Sequence, residues 1–99
     1  MPLSTVELTQ ARQAVAALLE QLGLEAYLFE VEPRDGQWEI RLECAVQDGW
    51  QALAWPVEKT ALLASGQDAA LRETLLRDWR HRLASCKIGG KVRKNGAAP

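Results

Sequence analysis

Three stretches of alternating apolar and polar side chains, separated by two turn signals, occupy residues 27–57 of this 99-residue chain. An alternation with a period of two is typical of half-buried β-strands. The first turn signal is the sequence Pro-Arg-Asp-Gly at 33–36, and the second is Asp48-Gly49, a strong signal for a two-residue hairpin loop. This pattern predicts a three-stranded antiparallel meander and constrains the fold more than any other feature.

The two turns also predict a register. With a four-residue loop at 33–36 and a two-residue loop at 48–49, both hairpins place their large apolar residues on one face. A slip by a single residue would turn every side chain to the other face, so the agreement supports the meander. The predicted partners are Glu32 with Gln37, Val31 with Trp38, Phe29 with Ile40, Gln47 with Trp50, Cys44 with Leu53, and Leu42 with Trp55.

The same parity predicts a second, uncovered face of the sheet. Pro56 is expected to end the third strand, at an edge where its missing N–H does no harm. The uncovered face is expected to be partly acidic and partly smooth and apolar. Its predicted residues are Leu28, Glu30, Glu32, Glu39, Arg41, Glu43, Ala45, Trp50, Ala52 and Ala54.

Helical patterns flank the strands. Apolar residues recur with helical period over residues 5–22, and Gly23 follows as a C-terminal cap. A short helix is predicted at about 58–64 and a longer one at about 68–85. Ser65 and Asp68, where the longer helix begins, have capping-box spacing. The predicted fold class is α+β, with element order α-β-β-β-α-α and the helices on one sheet face. We expect one domain over residues 1–86 and a basic, disordered tail over 87–99.

Charge is segregated along the chain. Residues 1–76 contain five Lys or Arg and twelve Asp or Glu, whereas residues 77–99 contain seven basic residues and one acidic residue. Such asymmetry suggests contact with an anionic partner, which could be nucleic acid, an acidic protein or the acidic sheet face of the chain itself. Cations near a helix C-terminus also simply oppose the helix dipole, and we prefer that ordinary interpretation. The basic strip consists of Arg77, Arg80, Arg82, Lys87, Lys91, Arg93 and Lys94.

The element order resembles that of double-stranded RNA-binding domains. Those domains place a lysine cluster at the start of their final helix, whereas residues 65–70 here read Ser-Gly-Gln-Asp-Ala-Ala. Duplex RNA binding in that manner is therefore not expected, and no sequence motif assigns a family.

Catalytic and metal-binding patterns are weak. The chain has one histidine, His81, and its two cysteines, Cys44 and Cys86, are interpreted as small buried hydrophobic residues and not as a disulfide framework. This set does not have the clustered spacing of a zinc site. We expect no catalytic residues, metal or cofactor, and we consider an enzyme the least favoured functional class.

Without a signal-like N-terminus or a long apolar run, the expected location is the cytoplasm, with no membrane partner.

Four tryptophans are present, and one of them differs from the others in its predicted environment. Trp38, Trp55 and Trp79 fall on predicted core positions, whereas Trp50 has the parity of the uncovered face. An exposed tryptophan is typical of binding surfaces, although it can also fold over a hairpin end.

The leading hypothesis is a non-enzymatic interaction or adaptor protein that binds a protein, or a second copy as a homodimer. Its surface would be the open sheet edge or the face around Leu28, Trp50, Ala52 and Ala54. The alternative is a nucleic-acid-associated protein that uses the basic strip.

Overall fold

The computed structural model describes residues 5–89 and confirms the predicted α+β class and element order. Residues 90–99, which make up most of the predicted tail, lie outside the described part of the chain. The elements are α1 (Thr5–Leu22), β1 (Tyr27–Arg34), β2 (Gln37–Val46), β3 (Gly49–Glu58), α2 (Lys59–Ala64) and α3 (Ala69–Arg82).

The sheet has the strand order β1-β2-β3 and both pairs are antiparallel, as predicted. The predicted register, however, is wrong by two residues in both hairpins. The first loop contains only Asp35 and Gly36, which adopt φ values of 54° and 77°. These left-handed conformations are those of a tight hairpin turn whose twist matches the strands. The observed partners are Arg34 with Gln37, Val31 with Ile40, and Phe29 with Leu42.

In the second hairpin the loop is one position earlier than predicted. Val46 pairs with Gly49, so the loop consists of Gln47 and Asp48, and Gly49 begins β3 with a φ of 139°. Only glycine adopts such a φ easily. The observed partners are therefore Ala45 with Trp50, Cys44 with Gln51, Leu42 with Leu53, and Ile40 with Trp55. A shift of two residues preserves the parity, so the apolar residues still share one face.

Pro56 had been expected to end β3, but it does not. The strand continues to Glu58, and Pro56 lies opposite Glu39 within the ladder. It is tolerated because β3 is an edge strand of the described sheet, where one row of backbone groups has no strand partner.

The core lies between the helices and the inner sheet face, which carries Trp38, Ile40, Leu42 and Trp55. All four are buried, as is Trp79 of α3. The indole rings of Trp55 and Trp79 meet edge to face, with centroids 5.2 Å apart, a geometry that aromatic pairs prefer. The prediction that three tryptophans belong to the core is confirmed. From α1 the buried residues are Ala11, Val15, Leu18 and Leu19.

The helix ends follow local hydrogen bonding. The carboxylate of Glu58 caps α2 by accepting from the N–H of Ala61, and that of Asp68 caps α3 by accepting from the N–H of Leu71. The predicted pairing of Ser65 with Asp68 is not formed, because the Ser65 hydroxyl donates to the carbonyl of Leu62 at the end of α2. The last helix ends at Arg82, three residues earlier than predicted.

Cys44 and Cys86 form a disulfide bond, which corrects the interpretation of both as free buried thiols. Their burial was expected, but the bond was not, since 42 residues separate them along the chain. The described chain after α3 is also tied to the body by backbone hydrogen bonds. The N–H of Lys87 donates to Ala45, and the N–H of Gly89 donates to Gly23. Residues 87–89 are thus hydrogen-bonded to the body of the protein.

Candidate functional site

The outer face of the sheet, opposite the core, is the main surface that the described helices leave uncovered. Its composition follows from the alternation along each strand, because residues of one parity point away from the core. Five of its residues are carboxylates and two are arginines. The outer-face residues are Leu28, Glu30, Glu32 and Arg34 of β1, Gln37, Glu39, Arg41, Glu43 and Ala45 of β2, and Trp50, Ala52, Ala54, Pro56 and Glu58 of β3.

Large apolar side chains are exposed on this face. Leu28 is 65% exposed and Trp50 is 59% exposed, and both Ala52 and Ala54 are exposed as well. We call these four residues the apolar patch. Leu28 lies opposite Glu43, which in turn lies opposite Ala52, so one carboxylate stands between the two sides of the patch. Trp50 lies near the start of β3, opposite Ala45.

A shallow depression of about 640 Å³ occupies the middle of the outer face. On the β3 side it is lined by Ala52 and Ala54, whose side chains are short. Trp50 precedes Ala52 by two residues and lies on the same face of β3. The outer-face residues that line it are Leu28, Glu30, Arg41, Glu43, Ala52 and Ala54.

Ion pairs use only some of the carboxylates on this face. Arg41 reaches Glu32 at 3.5 Å and Glu39 at 3.6 Å, and Arg34 reaches Glu39 at 3.0 Å. Glu30 and Glu43 make no ion pair with any residue among 5–89, although Glu30 lies opposite Arg41 in the ladder. Two exposed carboxylates that form no ion pair within residues 5–89 therefore line the depression, together with Arg41.

The basic strip is divided by the structure. Arg82 pairs with Asp78 at 2.8 Å, and Lys87 pairs with Glu25 at 3.3 Å. Arg77 and Arg80 are exposed and form no ion pair with another described residue. The remaining predicted contacts, Lys91, Arg93 and Lys94, lie outside residues 5–89. Half of the strip that the structure describes is thus already neutralised by carboxylates of the same chain.

A second, smaller depression of about 320 Å³ was not expected from the sequence. It lies where the end of α1 meets the end of α3 and the segment after it. Its lining is apolar except for Arg80, and Ile88 on its rim is exposed. The sequence contained no signal for it, because residues 87–89 were assigned to the tail. The lining residues are Leu22, Leu24, Arg80, Leu83, Ala84 and Ile88.

One carboxylate has a shifted pKa, and its role is structural. The pKa of Glu58 lies below its ordinary value because the Thr60 hydroxyl donates to the carboxylate, as does the N–H of Ala61. Both donors belong to the first turn of α2, so the charge serves as a helix cap.

Within the described part of the chain, no group of three or more His, Cys, Asp or Glu is placed to hold a metal ion.

Comparison of the chain with protein-family models, curated proteins and solved structures finds no match. Of the helices in the described region, none is both long enough and apolar enough to span a membrane.

Proposed function

We propose that this protein is a non-enzymatic interaction or adaptor protein that binds a protein partner through the outer face of its sheet. The observation that carries the proposal is the exposure of Trp50 and Leu28 on the only sheet face that the described helices leave uncovered. Large apolar side chains beside a depression are typical of interaction surfaces, where buried tryptophans contribute strongly to binding.

The exposure of Trp50 is better explained by binding than by the stability of the fold. Trp50 contributes little to the core, since more than half of its surface faces solvent. Exposed tryptophan also favours aggregation, so a fold gains nothing from it in isolation. Burial of Trp50 and Leu28 against a partner would remove a large apolar area from water.

The proposal is tested by affinity purification from the native host with three variants. Trp50→Ser and Leu28→Ser should each lose a partner that the unaltered protein retains. Val6→Ser is the matched control, because Val6 is 63% exposed but belongs to α1 and not to the sheet. Equal retention of every partner by all three variants would contradict the proposal.

Nucleic-acid binding through the basic strip is the second candidate. Arg77 and Arg80 are exposed on α3 and have no carboxylate partner within residues 5–89, which favours contact with an anionic ligand. Arg82 and Lys87 are engaged in ion pairs, so fewer phosphates could be neutralised than the sequence suggested. Binding to DNA or RNA that weakens steeply with salt and is reduced by Arg77→Gln and Arg80→Gln would favour this candidate over the first.

The disulfide bears on where the protein acts. The sequence led us to expect the cytoplasm, but disulfide bonds persist mainly in oxidising compartments. We propose that the protein acts where Cys44 and Cys86 stay joined. Alkylation of thiols during isolation from the host should then label neither cysteine, whereas labelling of both would restore the cytoplasmic expectation.

A further inference from the structure

The shape of the outer face suggests which kind of element could cover it. The row from Trp50 to Pro56 along β3 is about 20 Å long, given a rise of about 3.3 Å per residue. A helix of about 13 residues has the same length. Ala52 and Ala54 allow close approach, while the exposed Trp50 stands at one end of the same row and the exposed Leu28 lies across the sheet on β1. Because helices commonly cover sheet faces, a partner helix would complete a third layer.

The charge of the face suggests what that helix must carry. Glu30 and Glu43 line the depression beside Arg41 and form no ion pair within residues 5–89, because Arg41 and Arg34 pair with Glu32 and Glu39. An apolar helix with neutral or acidic flanks would leave these carboxylates uncompensated as it excluded water from them. Lysine or arginine beside the apolar stripe would pair with both.

A second copy of the chain is a poorer occupant for two reasons. The outer face carries five carboxylates and two arginines, so contact between two outer faces would bring together surfaces of the same net negative charge. The described helices also have their apolar stripes buried in their own core, such as Val15 and Leu19 of α1 and Trp79 of α3. None of them offers a free apolar face of the required kind.

We infer that the outer face binds a basic amphipathic helix of a partner protein. The apolar stripe of this helix packs on the depression between Trp50 and Leu28, and its Lys or Arg residues pair with Glu30 and Glu43. The inference rests on the proposed function and adds the chemistry of the partner to it.

The test uses three synthetic 18-residue peptides and the full chain. The first peptide places leucines on one helical stripe with lysines beside them, the second replaces each lysine by glutamate, and the third has the composition of the first in an order that destroys the stripe. Binding is measured by calorimetry and mapped by backbone amide shifts in NMR spectra. We expect saturable binding of the first peptide alone, with shifts concentrated at the apolar patch, Glu30 and Glu43.

Two double variants separate the specific carboxylates from general charge. Glu30→Gln with Glu43→Gln should raise the Kd of the lysine peptide about fivefold or more, because two charge pairs are lost. Glu20→Gln with Glu73→Gln removes the same charge from exposed positions on α1 and α3 and should change it less than about twofold.

Four results would overturn the inference. The lysine peptide could fail to bind, or the second or third peptide could bind as tightly as the lysine peptide does. The two double variants could have equal effects on its Kd, or sedimentation could show a dimer of the chain that Trp50→Ser dissociates. Any of these could occur while Trp50→Ser still loses the native partner, and the proposed function would then stand with a partner of different chemistry. Conversely, specific peptide binding without loss of any native partner would contradict the proposed function alone.

Discussion

The two faces of the sheet place the same residue type in opposite roles. Trp55 and Trp50 belong to one strand, five positions apart, yet Trp55 is 3% exposed and Trp50 is 59% exposed. The inner face is completed by Trp79 of α3, whereas no described element covers the outer face. Strand parity, and not residue type, therefore separates the buried tryptophan of this strand from the exposed one. Four measurements of the free energy of unfolding test this contrast between the two faces.

The largest effect is expected at the inner face. Trp79→Ala should lower the free energy of unfolding by about 3–5 kcal/mol, because it leaves a cavity against Trp55. Such a loss is a large fraction of the stability of a small domain. Urea denaturation followed by circular dichroism measures it, with Trp79→Phe as the milder control. A loss under about 1 kcal/mol would show that the inner face does not depend on this contact.

The next effect concerns the covalent link from the inner face to the chain after α3. Joint replacement of Cys44 and Cys86 by serine should lower the free energy of unfolding by about 2–4 kcal/mol, because the unfolded chain is no longer constrained by a closed loop. The amides of Lys87 and Gly89 should also exchange with solvent faster, since their segment loses its anchor.

A reductant provides the control for this link. It should destabilise the unaltered protein by a similar amount and leave the double serine variant unchanged. Equal stability of both proteins with and without reductant would contradict a stabilising disulfide.

A smaller effect is expected from Glu58, which has outer-face parity but a structural task. Its pKa is lowered in the folded protein by the Thr60 hydroxyl and then by the N–H of Ala61, so its stabilising contribution is present above the ordinary value of about 4.5. The contribution is lost as the pH falls through the lower, folded-state pKa. Glu58→Gln should therefore weaken the fall in stability that begins as the pH drops below about 4.5. An unchanged pH profile in denaturation experiments would argue against the cap.

The smallest effect on stability is expected at Trp50. Trp50→Ser should change the free energy of unfolding by no more than about 0.5 kcal/mol, as is usual for exposed positions. The same substitution should abolish retention of the native partner. A loss of about 2 kcal/mol or more would mean that Trp50 supports the body of the protein, and the contrast between the two faces would disappear.

The register shows how far local patterns reach. Alternation in residues 27–57 excluded a slip by one residue, because such a slip would expose the buried set. A slip by two keeps every side chain on its face, so alternation does not detect it. The turns select the observed register, because Asp35 and Gly36 both adopt left-handed conformations and Gly49 takes a φ that other residues avoid.

The candidate site was predictable only in part. The exposure of Trp50 and Leu28 followed from parity and is observed. Which carboxylates remain unpaired did not follow, because Arg41 lies opposite Glu30 in the ladder but reaches Glu32 and Glu39 instead. The second depression, lined in part by Ile88, depends on the chain after α3 returning beside Leu24, a contact between distant segments.

Sequence patterns alone predicted the α+β class, the order of the elements, the three buried tryptophans and the two faces of the sheet. These depend on short-range periodicity and on the hydrophobic effect, which act through neighbouring residues. The disulfide between Cys44 and Cys86, the anchoring of residues 87–89 and the sharing of carboxylates among arginines became visible in the folded structure and not before. Each of these depends on distances between side chains or segments that become neighbours only when the chain is folded.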